Sequence, residues 1–198
     1  TGIRRCVVVF HGGEPLLMGS TELVAFAAQL RGAVGTHVQL DIGMQTNGLL
    51  LTQEALDAFA SAAIGISLSL DGPKEANDLH RTSRRGRSSF EQTYQALQLL
   101  RSAPDVFAGV IAVIDPRTQP RQLLDFFSEQ QVPRLDFLLP DAHHQRPPPG
   151  RVEQPYLYEK WLIEAFDLWF DEYPTLEVRT FEALLDAVAG MPSQTDAF

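Results

Sequence analysis

Cysteine is almost absent from this chain, whose 198 residues include only Cys6. One cysteine excludes a disulfide within the chain. It also excludes a zinc or iron–sulfur site built only from cysteines of this chain. Because Cys6 opens an apolar run of strand length, we predict that it is a buried core thiol.

Long apolar runs and an excess of positive charge are also missing. No run reaches the ~18 residues that a membrane-spanning helix needs, and we expect no signal peptide. The net charge is −9, from 16 basic and 25 acidic residues, which argues against nucleic-acid and anionic-membrane partners. We therefore expect a cytoplasmic protein, and its 44% apolar residues suffice for one core.

Strand-like and helix-like patterns alternate along the chain. Apolar runs of strand length occupy residues 6–10, 38–44, 64–70, 108–114 and 135–139, with a short one at 177–179. Helical patterns occupy residues 21–30, 52–62, 90–100, 121–129, 156–170 and 181–188. This order predicts an α/β fold of parallel strands with right-handed crossovers, either a doubly wound sheet or part of a β/α barrel. Both ends resemble cuts, so we expect a fragment of something longer.

Polar and flexible residues follow every predicted strand. The five segments read "HGGEP" (11–15), "QTNG" (45–48), "SLDG" (69–72), "IDP" (114–116) and "LLPDAHH" (138–144). Such residues also make ordinary turns. In β/α folds, however, the C-terminal strand ends form one face, and that face holds the active site. Five polar ends together therefore favour a site.

Two of these segments suit a ligand with an amine and a carboxylate. In "GGEP", Gly12 and Gly13 let bare backbone approach a ligand, and the Glu14 carboxylate can pair with an ammonium group. After the third strand, a glycine-containing loop holds Arg81, Arg84, Arg85 and Arg87, of which we expect three to be solvated. An arginine there could hold a carboxylate in its fork.

The motifs "HGGEPLL", "QTNG" and "SLDGP…ND..R….GR.SF", in this order and spacing, resemble the radical S-adenosylmethionine (radical SAM) enzymes. More narrowly, the sequence looks like the branch with SPASM-type C-terminal extensions that modifies peptides and proteins, which includes sulfatase maturases and cyclophane-forming peptide maturases. The tail from "DFLLPDAHH" to "FDLWF" looks like the cyclophane-forming maturases in particular. The resemblance implies a partial (β/α)6 barrel that lacks its N-terminal cluster loop and C-terminal extension. Residues 1–150 would form the barrel core, and residues 151–198 a helical part leading toward a SPASM-type region.

The resemblance also implies roles for individual residues. Gly12, Gly13 and Glu14 would receive the amino end of SAM, and Ser69 and Arg81 would hold its carboxylate. The remaining matches are His11, which stands where relatives have His or Gln, and Gln45, Thr46 and Asn47 at the barrel mouth near the cofactor. Asp71 matches an aspartate for which the resemblance implies a structural role. The chain has Asn77-Asp78 where relatives have His-Asp before the matched arginine.

The largest departure from the family is the absence of a CxxxCxxC loop. In the family, three thiolates of that loop hold a [4Fe-4S] cluster, whose unique iron binds SAM and cleaves it reductively to a 5′-deoxyadenosyl radical. The resemblance therefore implies that SAM and a [4Fe-4S] cluster are cofactors of a parent protein, with no metal ligands in this chain. The parent would take electrons from an external donor and modify a ribosomal precursor peptide by hydrogen abstraction. This chain alone would be inactive, and no general base can be named.

Two other functions stay open. A barrel remnant without a cluster could be a non-catalytic module that binds a peptide or a partner. An ordinary β/α lyase or phosphate-binding barrel is the third reading, although no P-loop or Rossmann fingerprint supports it. Adjacent histidines in a proline-rich loop more often face solvent than bind a metal, and we expect this of His143 and His144. The "RPPPG" segment is expected to be a rigid connector or a wall of a peptide channel. The aromatic stripe of the 156–170 helix is expected to be core.

Overall fold

The computed structural model describes residues 4–143 and 145–191, in which five strands alternate with helices. The strands are β1 (Arg5–Phe10), β2 (Gln39–Thr46), β3 (Ile64–Ser69), β4 (Phe107–Val113) and β5 (Leu135–Leu138). The helices are α1 (Ser20–Val34), α2 (Gln53–Ser61), α3 (Lys74–Asn77), α4 (Phe90–Arg101), α5 (Pro120–Glu129), α6 (Leu157–Glu172) and α7 (Arg179–Val188), and a 3₁₀ turn spans Pro15–Met18. The strand order is β1-β2-β3-β4-β5. The predicted α/β alternation is therefore confirmed.

The chain divides into two compact units. The first contains Thr1–Ser69 and Thr82–Gly109, and the second contains Leu70–Arg81 and Val110–Phe198. The sequence suggested a different boundary, at residue 150. That boundary stays a prediction about domain organisation.

Within the first unit, parallel pairing joins β1 to β2 and β2 to β3. Parallel strands need a crossover, and α1 and α2 supply it. Thr52 caps α2, because its hydroxyl accepts a hydrogen bond from the Ala55 N–H at 3.2 Å. Phe59 of α2 is fully buried in this core, so truncating it to alanine would cost about 3–5 kcal/mol.

In the second unit, the Val110–Val113 part of β4 pairs with β5 in parallel, and α5, α6 and α7 contribute to the core. Its centre is aromatic. The Phe181 ring lies 5.4 Å from both the Phe166 and the Trp169 rings, and Phe137 meets Trp161 edge-on at 5.2 Å. The predicted aromatic core of α6 is therefore present at Trp161 and Trp169, which are buried, whereas Phe170 is 60% exposed.

Two predictions about local structure are wrong. Cys6 is exposed rather than buried, because β1 lies at the end of the strand order and, of its residues, only Phe10 is buried. The short strand at 177–179 is reduced to one parallel bridge between Val178 and Leu135, since α7 begins at Arg179. Of the described helices, none is long and apolar enough to cross a membrane.

Candidate functional site

A glycine turn follows β1. Gly12 and Gly13 have φ values of 90° and 56°, a region that glycine enters without strain. Both residues are exposed, and a Cβ atom built on either would have no atom within 4 Å. The turn therefore presents bare backbone N–H and C=O groups to its surroundings. His11, just before it, is exposed and has no side-chain hydrogen bond within residues 4–143 and 145–191.

The Glu14 carboxylate fastens this turn to the end of β2. Its Oε1 atom accepts hydrogen bonds from the Thr46 hydroxyl at 2.6 Å and from the Leu16 N–H at 3.1 Å. Its Oε2 atom accepts from the Asn47 N–H at 2.9 Å. All three donors are neutral, and the Leu16 bond caps the 3₁₀ turn. Glu14 therefore shapes the glycine turn by holding β1 and β2 together at their C-terminal ends.

The ends of β2 and β3 are joined through side chains. The Gln45 amide donates to the Ser69 hydroxyl at 3.1 Å, and Ser69 is 7% exposed. Asn47 turns back on its own loop, because its Oδ1 atom accepts from the Leu49 N–H at 2.9 Å. Its carbonyl accepts from the Thr93 hydroxyl of α4 at 3.2 Å. Gln45 and Ser69 thus form one polar pair, while Asn47 orders the loop.

Arg81 belongs to the second unit, where it makes a two-pronged ion pair with Asp71. Its Nε and Nη2 atoms donate to the two Asp71 carboxylate oxygens at 2.7 and 2.8 Å. Asp71 also accepts from the Val113 N–H at 2.9 Å, and its own N–H donates to Asn77 Oδ1 at 3.4 Å. The Arg81 N–H in turn donates to the Asn77 carbonyl. Asn77 therefore ties down the loop at the position where the sequence departs from the family.

A second charged cluster lies at the end of β4. Asp115 accepts from the Arg117 N–H at 2.8 Å and from its guanidinium at 2.5–3.0 Å. His80 Nε2 lies 2.7 Å from Asp115 Oδ2. Burial by itself raises the pKa of Asp115. The hydrogen bonds from Arg117 and His80 outweigh burial and lower the pKa to about 2, so this carboxylate is anionic at neutral pH.

A cavity of about 560 Å³ opens beside this cluster and belongs wholly to the second unit. Its lining includes His80, Asp115 and Arg117 together with the proline-rich segment and the start of α6. Sequence reasoning missed this cluster, since "IDP" reads equally well as a turn. The turn is real, because the Thr118 N–H donates to the Asp115 carbonyl. The sequence feature that could have pointed to the cluster is His80, which lies directly before Arg81 in a loop that follows a strand.

The predicted site residues therefore fall into two groups. Glu14 contacts Asn47, and Gln45 contacts Ser69, in the first unit, where His11, Gly12 and Gly13 also lie. Arg81 lies in the second unit and is paired with Asp71. His143 forms a tight turn with Arg146, and His144 lies outside the described residues.

Parallel strands joined by helices, with a glycine turn and polar side chains at their C-terminal ends, define a β/α protein whose candidate site lies at those ends. The model of the radical SAM superfamily matches residues 4–126, which is more than half of the chain. The chain belongs to this superfamily.

Several curated relatives are anaerobic sulfatase-maturating enzymes. The chain is 25% identical over 190 residues to a cysteine-type enzyme of Clostridium perfringens (strain 13 / Type A), a match of 92% of this chain and 51% of that protein. It is 31% identical over 129 residues to a serine-type enzyme of Bacteroides thetaiotaomicron, covering 65% of this chain and 31% of that protein. At 51%, the chain spans about half the length of the first of these relatives.

Solved structures show the same fold. Native anSMEcpe with bound AdoMet and Kp18Cys peptide superposes with a TM-score of 0.82 over 98% of this chain and 55% of that one, at 23% identity. Native anSMEcpe with bound AdoMet matches 96% of this chain and 54% of that one with a TM-score of 0.81 and the same identity. The partial β/α barrel of radical SAM type is therefore confirmed, as is the likeness to sulfatase maturases. The likeness to cyclophane-forming peptide maturases in particular stays a prediction.

Radical SAM proteins use SAM and a [4Fe-4S] cluster. The residues of this chain fit the amino-acid end of SAM, because the Gly12–Gly13 backbone is open to a ligand and a polar pair stands at Gln45 and Ser69. They do not fit the cluster. The sole cysteine, Cys6, cannot supply three thiolates, and the described residues contain no group of three His, Cys, Asp or Glu arranged around a metal ion. The cluster ligands are therefore not supplied by the described part of this chain.

Proposed function

We propose that this chain is the SAM-binding core of a radical SAM enzyme that modifies a ribosomal precursor peptide by hydrogen abstraction and forms a cross-link of the cyclophane type. The observation that supports this most directly is the glycine turn held in place by Glu14, since open backbone suits an amino-acid-like group. Relatives named as sulfatase-maturating enzymes and the peptide bound in anSMEcpe support a peptide substrate. The cross-link type rests on the resemblance of the chain's C-terminal part.

In this proposal, the first unit binds the amino end of SAM at Gly12 and Gly13. Glu14 acts by holding the turn, and Gln45 and Asn47 order the neighbouring strand end. Ser69 and Arg81 hold the SAM carboxylate. An arginine has five N–H donors, and Asp71 accepts from two of its nitrogens, which orients the guanidinium fork. In the parent protein, SAM would supply the radical chemistry once a [4Fe-4S] cluster held outside the described part of this chain passed it an electron from an external cytoplasmic donor. This chain would orient SAM and exclude water.

Calorimetric titration of SAM into the chain tests the assignment of Arg81. Replacing Arg81 by Ala removes a charge-assisted hydrogen bond of about 1.5–3 kcal/mol. We therefore expect SAM to bind about 10- to 100-fold more weakly. Arg84→Ala is the matched control, because Arg84 is exposed in the same loop, and we expect it to leave the affinity unchanged.

Arg81→Ala also leaves Asp71 without its partner, so Arg81→Lys is the second variant. Lysine keeps the charge near Asp71 but lacks the two-pronged fork. An intermediate SAM affinity in a folded Arg81→Lys protein would support the assignment. Equal affinity of the wild type and both Arg81 variants would contradict it.

A second candidate function is a peptide- or partner-binding module without redox chemistry. The observation that favours it is the single exposed cysteine, which leaves the chain without its own cluster ligands. SAM binding separates the two candidates, since a module of this kind has no reason to bind SAM at the glycine turn. Absence of any SAM-induced change at the Gly12 and Gly13 amides would favour the binding module.

A further inference from the structure

The segment between α3 and α4 contains a short hairpin, residues 82–88, which we call the arginine hairpin. An antiparallel bridge joins Thr82 to Ser88 at its base. Inside the hairpin, the Ser83 N–H donates to the Arg87 carbonyl at 2.8 Å, and the Ser83 hydroxyl accepts from the Arg87 N–H at 3.0 Å. These hydrogen bonds order the loop before any partner binds, which lowers the entropy cost of binding.

The turn of this hairpin presents three exposed arginines, Arg84, Arg85 and Arg87. Gly86 makes the turn, since its φ of 71° is a conformation that glycine enters without strain and its N–H donates to the Ser83 carbonyl at 2.8 Å. The Cα atoms of the three arginines therefore lie within about 11 Å of one another. Positive charges spaced this closely repel one another, so a bound anion would relieve the repulsion.

The hairpin arginines differ from other arginines of the chain in having no acidic partner. None of the three forms an ion pair or a side-chain hydrogen bond within residues 4–143 and 145–191. The chain has 25 acidic residues, so the reason is not a shortage of carboxylates. Arginines that do pair with a carboxylate are Arg5, Arg81, Arg117, Arg121, Arg134, Arg151 and Arg179.

The charge of the remaining chain indicates which kind of anion suits the hairpin. Three of the 16 basic residues lie in it, which leaves 13 against 25 acidic residues elsewhere, a net charge of −12. A nucleic acid or an anionic membrane extends far beyond one turn and would be repelled by this negative charge. A short acidic segment of a polypeptide can contact the hairpin alone, and its carboxylates match the guanidinium fork.

We propose that the arginine hairpin is a docking surface for an acidic segment of a partner polypeptide, whose carboxylates pair with Arg84, Arg85 and Arg87. The hairpin lies wholly in the first unit. This inference goes beyond the proposed function and does not depend on SAM binding, because each observation that supports it concerns the hairpin or the charge of the chain.

Nuclear magnetic resonance of the ¹⁵N-labelled chain tests the proposal with two peptides. The probes are acetyl-Gly-Glu-Asp-Glu-Gly-amide and acetyl-Gly-Gln-Asn-Gln-Gly-amide, which are matched in size and differ in charge. We expect the acidic peptide to shift the Gly86 amide and the Nε–H signals of Arg84 and Arg85. It should bind about tenfold more tightly than the neutral peptide, since several exposed ion pairs add up. Salt at about 1 M, where the Debye length is about 3 Å, should abolish the difference.

The double variant Arg84→Gln/Arg85→Gln should remove most of this tenfold preference. The matched control is Arg4→Gln/Arg146→Gln, which removes the same charge at two exposed arginines outside the hairpin that also have no ion pair in the described part of the chain. The control should keep the preference. Equal affinities of the two peptides for the wild type, equal losses in both double variants, or an unchanged Gly86 amide would each overturn the proposal.

Inorganic phosphate and a hexathymidylate oligonucleotide test the other classes of anion at the same signals. We expect both to bind less tightly than the acidic peptide. Tighter binding of either one at the hairpin would overturn the proposal, because the surface would then be a phosphate or nucleic-acid site.

A parallel titration with SAM, read at the Gly12 and Gly13 amides, separates this inference from the proposed function. If SAM leaves these glycines unchanged while the acidic peptide shifts Gly86, the SAM-dependent function fails and the docking surface stands. If SAM shifts the glycines and the acidic peptide leaves Gly86 unchanged, the docking surface fails and the SAM-binding core stands.

Discussion

The two units stabilise their buried and half-buried carboxylates in different ways. In the first unit, Glu14 accepts three hydrogen bonds from neutral donors. In the second unit, three buried aspartates each pair with an arginine, as Asp71–Arg81, Asp115–Arg117 and Asp136–Arg179. Neutral donors hold the Glu14 carboxylate and its turn without a cationic side chain. Each buried aspartate instead pairs with an arginine, which thereby becomes part of the folded structure.

Burial accounts for this difference. Glu14 is half-buried, so neutral donors and nearby water are enough to stabilise its charge. The aspartates of the second unit are 5–7% exposed, and an ionised carboxylate buried this deeply needs a cation or several hydrogen bonds. Arg81, which the sequence suggests as a ligand-binding residue, therefore already forms an ion pair with an aspartate of its own chain.

The largest effect is expected from breaking the most buried of these pairs. Asp71→Asn leaves Arg81, 24% exposed, without its counter-charge and weakens the bond to the Val113 N–H. Removing one partner of a buried pair costs about 3–5 kcal/mol, so the free energy of unfolding measured in urea should fall by that amount.

The matched control for this variant is the exposed pair of Arg5 and Asp41 in the first unit, with side chains 68% and 35% exposed. Because solvent screens such pairs, Arg5→Gln should lower the free energy of unfolding by less than about 1 kcal/mol. Equal losses in Asp71→Asn and Arg5→Gln would mean that burial does not decide how much an ion pair of this protein contributes to stability.

The next effect is a dependence of stability on pH that comes from Asp115. Its pKa is lowered in the folded protein from an ordinary value of 3.8 to about 2. A depressed carboxyl pKa contributes stability that is fully present above pH 4 and is lost as the pH falls toward 2. With a side chain only 8% exposed, the contribution is on the order of 2 kcal/mol.

Denaturant unfolding of the wild type and Asp115→Asn across pH 2–6 measures this contribution. The difference in the free energy of unfolding between the two proteins should shrink as the pH falls through this range, since both side chains become neutral. A difference that stays constant between pH 6 and pH 2 would contradict an anionic Asp115.

Much of the fold could be predicted from the pattern of apolar residues. Strand β3 was expected at 64–70 and spans Ile64–Ser69, because a strand buried in a parallel sheet is a continuous apolar run. The glycine turn was also predictable, since it is a local feature of "HGGEP". Cys6 was misjudged because apolarity in a short run does not distinguish a central strand from the first strand of a sheet.

Long-range partners could not be predicted in the same way. Arg179 pairs with Asp136 across 43 residues, and His80 pairs with Asp115 across 35. Periodicity describes which face of an element is buried, but not which side chains meet at the ends of different elements. Glu14 shows the same limit, because "GGEP" gives no sign of the hydroxyl and the two backbone N–H groups that donate to this carboxylate. Its pairing with an ammonium group of a ligand stays a prediction.

The smallest of these effects is expected at Glu14. Glu14→Gln keeps one carbonyl oxygen for the Thr46 hydroxyl but turns an amide N–H₂ toward the Asn47 N–H, where two donors then face each other. A lost hydrogen bond in a half-buried position costs about 1–2 kcal/mol of unfolding free energy, less than either aspartate variant. Glu22→Gln in the first turn of α1, where the glutamate is exposed, should leave the unfolding curve unchanged. The amides of Gly12 and Gly13 should shift in Glu14→Gln alone if the carboxylate shapes the turn, and unchanged glycine amides would mean that the turn forms without it.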